Sequence, residues 1–97
     1  MTIKKMQEFD VPGPDEADED GFVHMDTPAG AKIYRLSSSG TSVRAFALCT
    51  VANETVTRNF FYVDTGAEFN RNAVSYVGTI VSNDPEVPTR HLFEQEE

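Results

Sequence analysis

Ninety-seven residues suffice for one domain and hardly for two. Sixteen acids against eight bases give a formal charge of −8, which opposes direct binding of nucleic acid or of an anionic membrane, since both call for positive surface. A hydrophobic share of 39%, with seven Phe and three Tyr, excludes a wholly disordered chain.

Residues 2–11, TIKKMQEFDV, read as a first strand or an extended arm, so 1–14 is set apart as an N-terminal segment. Its two lysines precede no apolar run, which excludes a signal peptide. Pro12, Gly13 and Pro14 stop regular structure. Residues 15–21 are an acidic connection, and 22–94 a compact β domain. Within it FVHMD, 22–26, alternates as a short strand, and TPAG, 27–30, signals a turn. AKIYRL, 31–36, is a strand closed by SSSGT, 37–41. The strongest strand is SVRAFALCTV, 42–51, where Val43, Ala45, Ala47, Cys49 and Val51 share one face and Phe46 and Leu48 the other. Apolar residues on both faces predict a central strand covered at least partly on each side.

ANET, 52–55, turns the chain, and VTRNFFYVDT, 56–65, is expected to return as the hairpin partner of 42–51. GAEFNRNA, 66–73, reads as a helical turn or bulging loop. VSYVGTIVS, 74–82, is a strand, NDPEVP a turn, TRHLFE, 89–94, a last short strand, and 95–97 a frayed tail. Six or seven short strands with this turn spacing predict an all-β fold: a small antiparallel sandwich or a partly open barrel, with little helix. No window approaches eighteen apolar residues, so no transmembrane helix is expected.

The acidic run GPDEADEDG, 13–21, holds five of the sixteen acids. Counted back from Gly21 as an EF-hand loop, Glu16, Asp18 and Asp20 take the first, third and fifth ligand positions. His24 and Thr27 then fall where the ninth and twelfth positions need oxygen ligands, and no helices flank the loop. No metal and no cofactor are therefore expected. Closely spaced carboxylates also imitate phosphates in a basic groove, but a mimic spreads charge across a face. Here eight acids fall within 8–26 and five within 84–97, leaving three between. The run reads as a solvated connection, and its functional reading is a docking segment: Asp15, Glu16, Asp18, Glu19 and Asp20 in contact, with Phe9 or Phe22 as apolar anchor.

Asp64-Thr65-Gly66-Ala67 resembles the active-site tetrad of retroviral-type aspartic proteases, in which a homodimer pairs two such aspartates. That family carries the tetrad in the first third of the chain, whereas only thirty-three residues follow Asp64 here. A strand-end aspartate in a turn is the ordinary reading. Cys49, the single cysteine, lies in an apolar strand and reads as a buried thiol. His24 and His91 lack metal-ligand spacing and read as structural or surface residues. Phe60, Phe61, Tyr62, Phe69, Tyr76 and Phe46 read as core aromatics rather than a stacking surface for single strands, which the negative field opposes.

TPAGAKI at 27–33, VRAFALCTV at 43–51, YVDTG at 62–66, YVGTIV at 76–81 and RHLFE at 90–94 resemble, in that order, a family of small phage-encoded proteins with an uncharacterised domain. That family tends to carry G-T-G before a histidine. Here Asp64 stands at the first glycine, and Glu68 or its neighbours stand at the histidine. The resemblance implies a phage origin and no catalysis. The resulting expectation is a non-enzymatic phage accessory protein that modulates a host or phage protein by contact, in the host cytoplasm. A minor virion component is the alternative, and a homo-oligomer is compatible with either.

Overall fold

The computed structural model describes residues 2–39, 42–81, 85–86 and 88–96. The chain forms seven strands: β1 (Lys4–Val11), β2 (Val23–Pro28), β3 (Lys32–Ser39), β4 (Ser42–Thr50), β5 (Thr55–Asp64), β6 (Val74–Ile80) and β7 (Arg90–Gln95). One 3-10 turn, Pro14–Glu16, is the only helical element among the described residues. The strands make two antiparallel sheets, ordered β1-β4-β3 and β2-β5-β7-β6, packed as a sandwich and not closed into a barrel.

Period-two alternation builds the core. In β2, Val23, Met25 and Thr27 are buried while His24 and Asp26 are exposed. In β4, Ala45, Ala47 and Cys49 are fully buried on one face. Phe60 and Leu92 reach in from the four-stranded sheet, and these large side chains share a core with Val11, Val23, Met25 and the small Ala45. Full burial of a Phe, Leu or Val contributes about 1.5–3 kcal/mol each. Ala31, Ala47 and Cys49 form a second, smaller cluster, with Phe9 and Ile33 packed against it. At the junction of the sheets, Gly78 of β6 lies so close to β3 that a Cβ there would stand 2.7 Å from Leu36 Cδ1.

One polar group is deliberate at the edge of this core. Arg58 donates from Nε to Glu94 Oε2 at 2.6 Å and from Nη2 to Glu94 Oε1 at 2.5 Å. Its Nη1 donates to the Ala31 carbonyl at 2.8 Å, and its guanidinium lies 5.5 Å from the Phe60 ring centroid. The side chains are 17% and 19% exposed, so the pair is partly desolvated and its geometry is the bidentate one that offsets that cost.

Several expectations change. Segments 42–51 and 56–65 are not hairpin partners: β4 pairs with β1 and β3, while β5 pairs with β2 and β7. The short connection between them crosses from one sheet to the other. Alternation specifies which residues share a face, not which strand lies alongside, so the pattern is silent about partners. Thr27 and Pro28 belong to β2 rather than to a turn, opposite Val56 and Thr55. Proline is tolerated there because β2 is an edge strand. Ser37–Ser39 continue β3. The expected turns at 40–41 and 83–88 lie wholly or partly outside the described residues. β7 runs to Gln95, and the Glu96 N–H donates to the Ala73 carbonyl at 2.7 Å, so the tail expected to fray from residue 95 is tied down through 96.

Candidate functional site

The acidic turn between β1 and β2 is built around Asp18. Its Oδ1 accepts from the backbone N–H groups of Asp20 at 2.9 Å and Phe22 at 3.0 Å. Its own N–H donates to the Phe22 carbonyl, and the Gly21 N–H donates to the Asp18 carbonyl. Gly21 sits at φ 85°, a left-handed conformation that glycine adopts without steric cost. Upstream, Glu16 Oε2 accepts from the Gly13 N–H at 2.8 Å, and the 3-10 turn closes with the Glu16 N–H on the Gly13 carbonyl.

Two side chains tie this turn to the sheet. His24 Nε2 lies 2.8 Å from Asp18 Oδ2, and its Nδ1 lies 2.7 Å from Asn59 Oδ1. Both partners present oxygens, an arrangement that favours the imidazolium form, in which both ring nitrogens donate. The hydrogen bond to Asn59, then that to Asp18, raises the His24 pKa. The Asp18 pKa is lowered, first by the Phe22 N–H, with His24 and the Asp20 N–H adding to it. Arg71 supplies the second tie. It donates to the Asp20 carbonyl at 2.6 Å, and its guanidinium lies 4.2 Å from the Phe22 ring centroid and 4.8 Å from that of Phe61.

Arg71 and Phe69 come from the loop after β5, which folds over the outer face of the four-stranded sheet. Phe61 and Phe93 stack there at 5.6 Å between centroids. Phe69 covers both, at 5.5 Å from Phe61 and 5.0 Å from Phe93, and Tyr76 meets Phe93 edge-on. Between this loop and the acidic turn, beside the stretch of β5 that β2 does not reach, lies an open hollow of about 440 Å³. Its polar lining is Asp64 with Arg90, Glu68 and Arg71. No Ser, Cys or His lines it among the described residues.

The Asp64-Thr65-Gly66-Ala67 tetrad forms the turn that ends β5. Arg90 Nε donates to Asp64 Oδ1 at 3.1 Å, the Ala67 N–H donates to the Asp64 carbonyl, and Gly66 takes φ 87°. Thr65 joins a chain of hydrogen bonds through the second histidine. Its hydroxyl donates to the Thr89 carbonyl at 3.2 Å, so it accepts from His91 Nε2 at 2.8 Å. His91 Nδ1 lies 2.8 Å from the Thr79 hydroxyl, and Thr79 bonds the Tyr76 hydroxyl. Each member thus has a structural use. Tyr62, on the opposite face of β5, donates to the Pro12 carbonyl at 2.6 Å, and burial pushes its hydroxyl up to about 12.

The contact residues expected from the sequence divide in two. Glu16 and Asp18 spend their carboxylates inside the turn, whereas Asp15, Glu19 and Asp20 make no side-chain hydrogen bond or ion pair among the described residues. Phe9 packs against the core, and Phe22 lies half-buried under Arg71 and edge-on to Phe61. Both are intramolecular anchors. Glu16, Asp18 and Asp20, the candidate cation ligands, do not converge, and no three His, Cys, Asp or Glu side chains among the described residues form a ligand set. Cys49 is buried. Sequence reasoning missed Arg71 as the clasp of the turn. An aspartate three residues before a glycine is the composition of a type I turn, so the role of Asp18 had a signal; Arg71, fifty-one residues from Asp20, had none.

Residues 16–97 match the family described as a domain of unknown function, DUF7352, and the chain belongs to that family. The match begins inside the acidic turn, so β1 lies outside it, although all eight of its residues pair with β4. No curated protein and no solved structure gives a significant match.

Proposed function

We propose that this member of the DUF7352 family acts through protein–protein contact, presenting its acidic turn to a basic surface on a host or phage protein. The observation that carries this reading is that the turn is fixed. Asp18, His24 and Arg71 hold its backbone, and Asp15, Glu19 and Asp20 stay exposed without partners among the described residues. Carboxylates held close together repel one another, and a cationic partner relieves that repulsion without first having to order the loop. The use of Asp64, His91 and Thr65 in turn and sheet hydrogen bonds supports contact over catalysis. The resemblance to phage-encoded proteins supports a phage setting, with the host cytoplasm as the place of action.

The test is affinity capture from phage-infected cells with the wild-type protein and the Asp15→Asn, Glu19→Gln, Asp20→Asn triple variant. The reading predicts a basic protein retained by the wild type at low salt. It should be lost from the variant, and lost at ~1 M salt, where the Debye length falls to ~3 Å. Retention of the same proteins by both, unaffected by salt, contradicts it. Mass spectrometry of purified virions distinguishes a virion component from an intracellular modulator.

A further inference from the structure

We propose that the outer face of the three-stranded sheet is the contact face of a homodimer, packed against the same face of a second copy. This inference is independent of the acidic turn. The outer face of the four-stranded sheet is covered by its own loop, through Phe69 and Arg71. No such cover lies over the other sheet among the described residues. There Phe46 and Leu48 of β4 are half-buried by their neighbours and belong to neither core cluster. Met6 and Tyr34 beside them are 55% and 57% exposed.

The strand register arranges this face in rows. Glu8, Phe46 and Arg35 lie across the sheet in one row, and Met6, Leu48 and Lys32 in the next. Lys4, Met6, Glu8 and Asp10 thus line the β1 side, with Arg44 of the central strand paired to both acids. Lys32 and Arg35 line the β3 side and form no ion pair among the described residues, in a chain of net charge −8. Lys32 only stacks on Tyr34, at 5.1 Å.

A twofold axis running along β4 between two facing sheets keeps each row level and exchanges its ends. Row by row, Glu8 of one copy then lies over Arg35 of the other, Met6 over Lys32, and Asp10 over Ser37. Phe46, Leu48 and Arg44 meet their own counterparts on the axis, each Arg44 already paired to Glu8 and Asp10 of its own copy. This is the self-complementarity that an isologous interface requires, and aligned sheets stack face to face in this way. Three strands ~4.8 Å apart and eight residues at ~3.4 Å give a face of roughly 400 Å² per copy, about half that of a standard stable interface. The dimer is therefore a dissociating one.

Sedimentation equilibrium over a wide concentration range tests this. The weight-average mass of the wild type should climb from that of one chain toward that of two. Leu48→Asp should stay monomeric with its circular dichroism unchanged. Should Leu48→Asp unfold, Met6→Glu at the exposed position gives the same reading. Arg35→Glu and Glu8→Lys should each be monomeric alone, because both place like charges across the axis. Mixed in equal amounts they should recover the dimer, since each then supplies what the other lacks. A wild type that is monomeric up to ~1 mM, a folded Met6→Glu or Leu48→Asp that still dimerises, or a mixture that stays monomeric overturns the proposal.

Discussion

At the scale of single residues, the pairing of His24 with Asp18 makes the tie between turn and sheet depend on pH. The folded-state pKa of His24 lies above its ordinary value, so its contribution is fully present below about pH 6.5 and is lost as pH rises through the folded value. Asp18 behaves in the opposite sense, its contribution being lost as pH falls through its lowered value. The tie is strongest between the two. A proton NMR titration of the His24 ring should give a midpoint above that of Asn59→Ala, which removes the first-ranked cause of the shift. An unchanged midpoint in Asn59→Ala contradicts the hydrogen-bond assignment. Arg58 with Glu94 is the other residue-scale test. Glu94→Gln leaves a partly buried guanidinium without its counter-charge, and denaturant unfolding should show a loss of about 1.5–3 kcal/mol. A loss within experimental error would place the pair among ordinary surface bridges.

Elements were legible in the sequence to unequal degrees, for physical reasons. The face assignment of β4 holds from Val43 to Cys49, because period-two burial is a local property of a strand, and fails at Val51, which lies past the strand's end and is exposed. Pairing is not local. The strands from 42–51 and 56–65 part into different sheets, and nothing in four intervening residues specifies that. The coupling of β6 to β3 was equally hidden: Gly78 in YVGTIV marks a close approach whose partner, Leu36, is visible only in space. Gly78→Ala should crowd Leu36 and lower the stability by about 1–3 kcal/mol, measured by thermal or urea unfolding. Leu36→Ala in the same chain should reduce that added penalty, since it removes the atoms in the way. A Gly78→Ala protein as stable as the wild type would mean the sheets part there at little cost.

For the whole molecule, composition gave the net charge and strand patterning the fold class, but neither gave the distribution of charge in space. Of eight bases, Arg44, Arg58 and Arg90 are held in ion pairs, Arg71 clasps the acidic turn, and Lys32 and Arg35 lie on one side of the three-stranded sheet. At the turn after β1, Asp15, Glu19 and Asp20 are left without a side-chain partner among the described residues. The candidate site was half legible: the acids 15–20 stand out in the sequence, while their division into those that build the turn and those left outside depends on Asp18, His24 and Arg71 meeting in space. A fixed acidic surface is the central claim, and backbone ¹⁵N relaxation of residues 13–22 tests it most directly. The account predicts order parameters of about 0.85 through Asp18, Asp20 and Phe22, like those of the strands. Values below about 0.6 across the segment would show a free acidic chain with no fixed surface to present, and would contradict it.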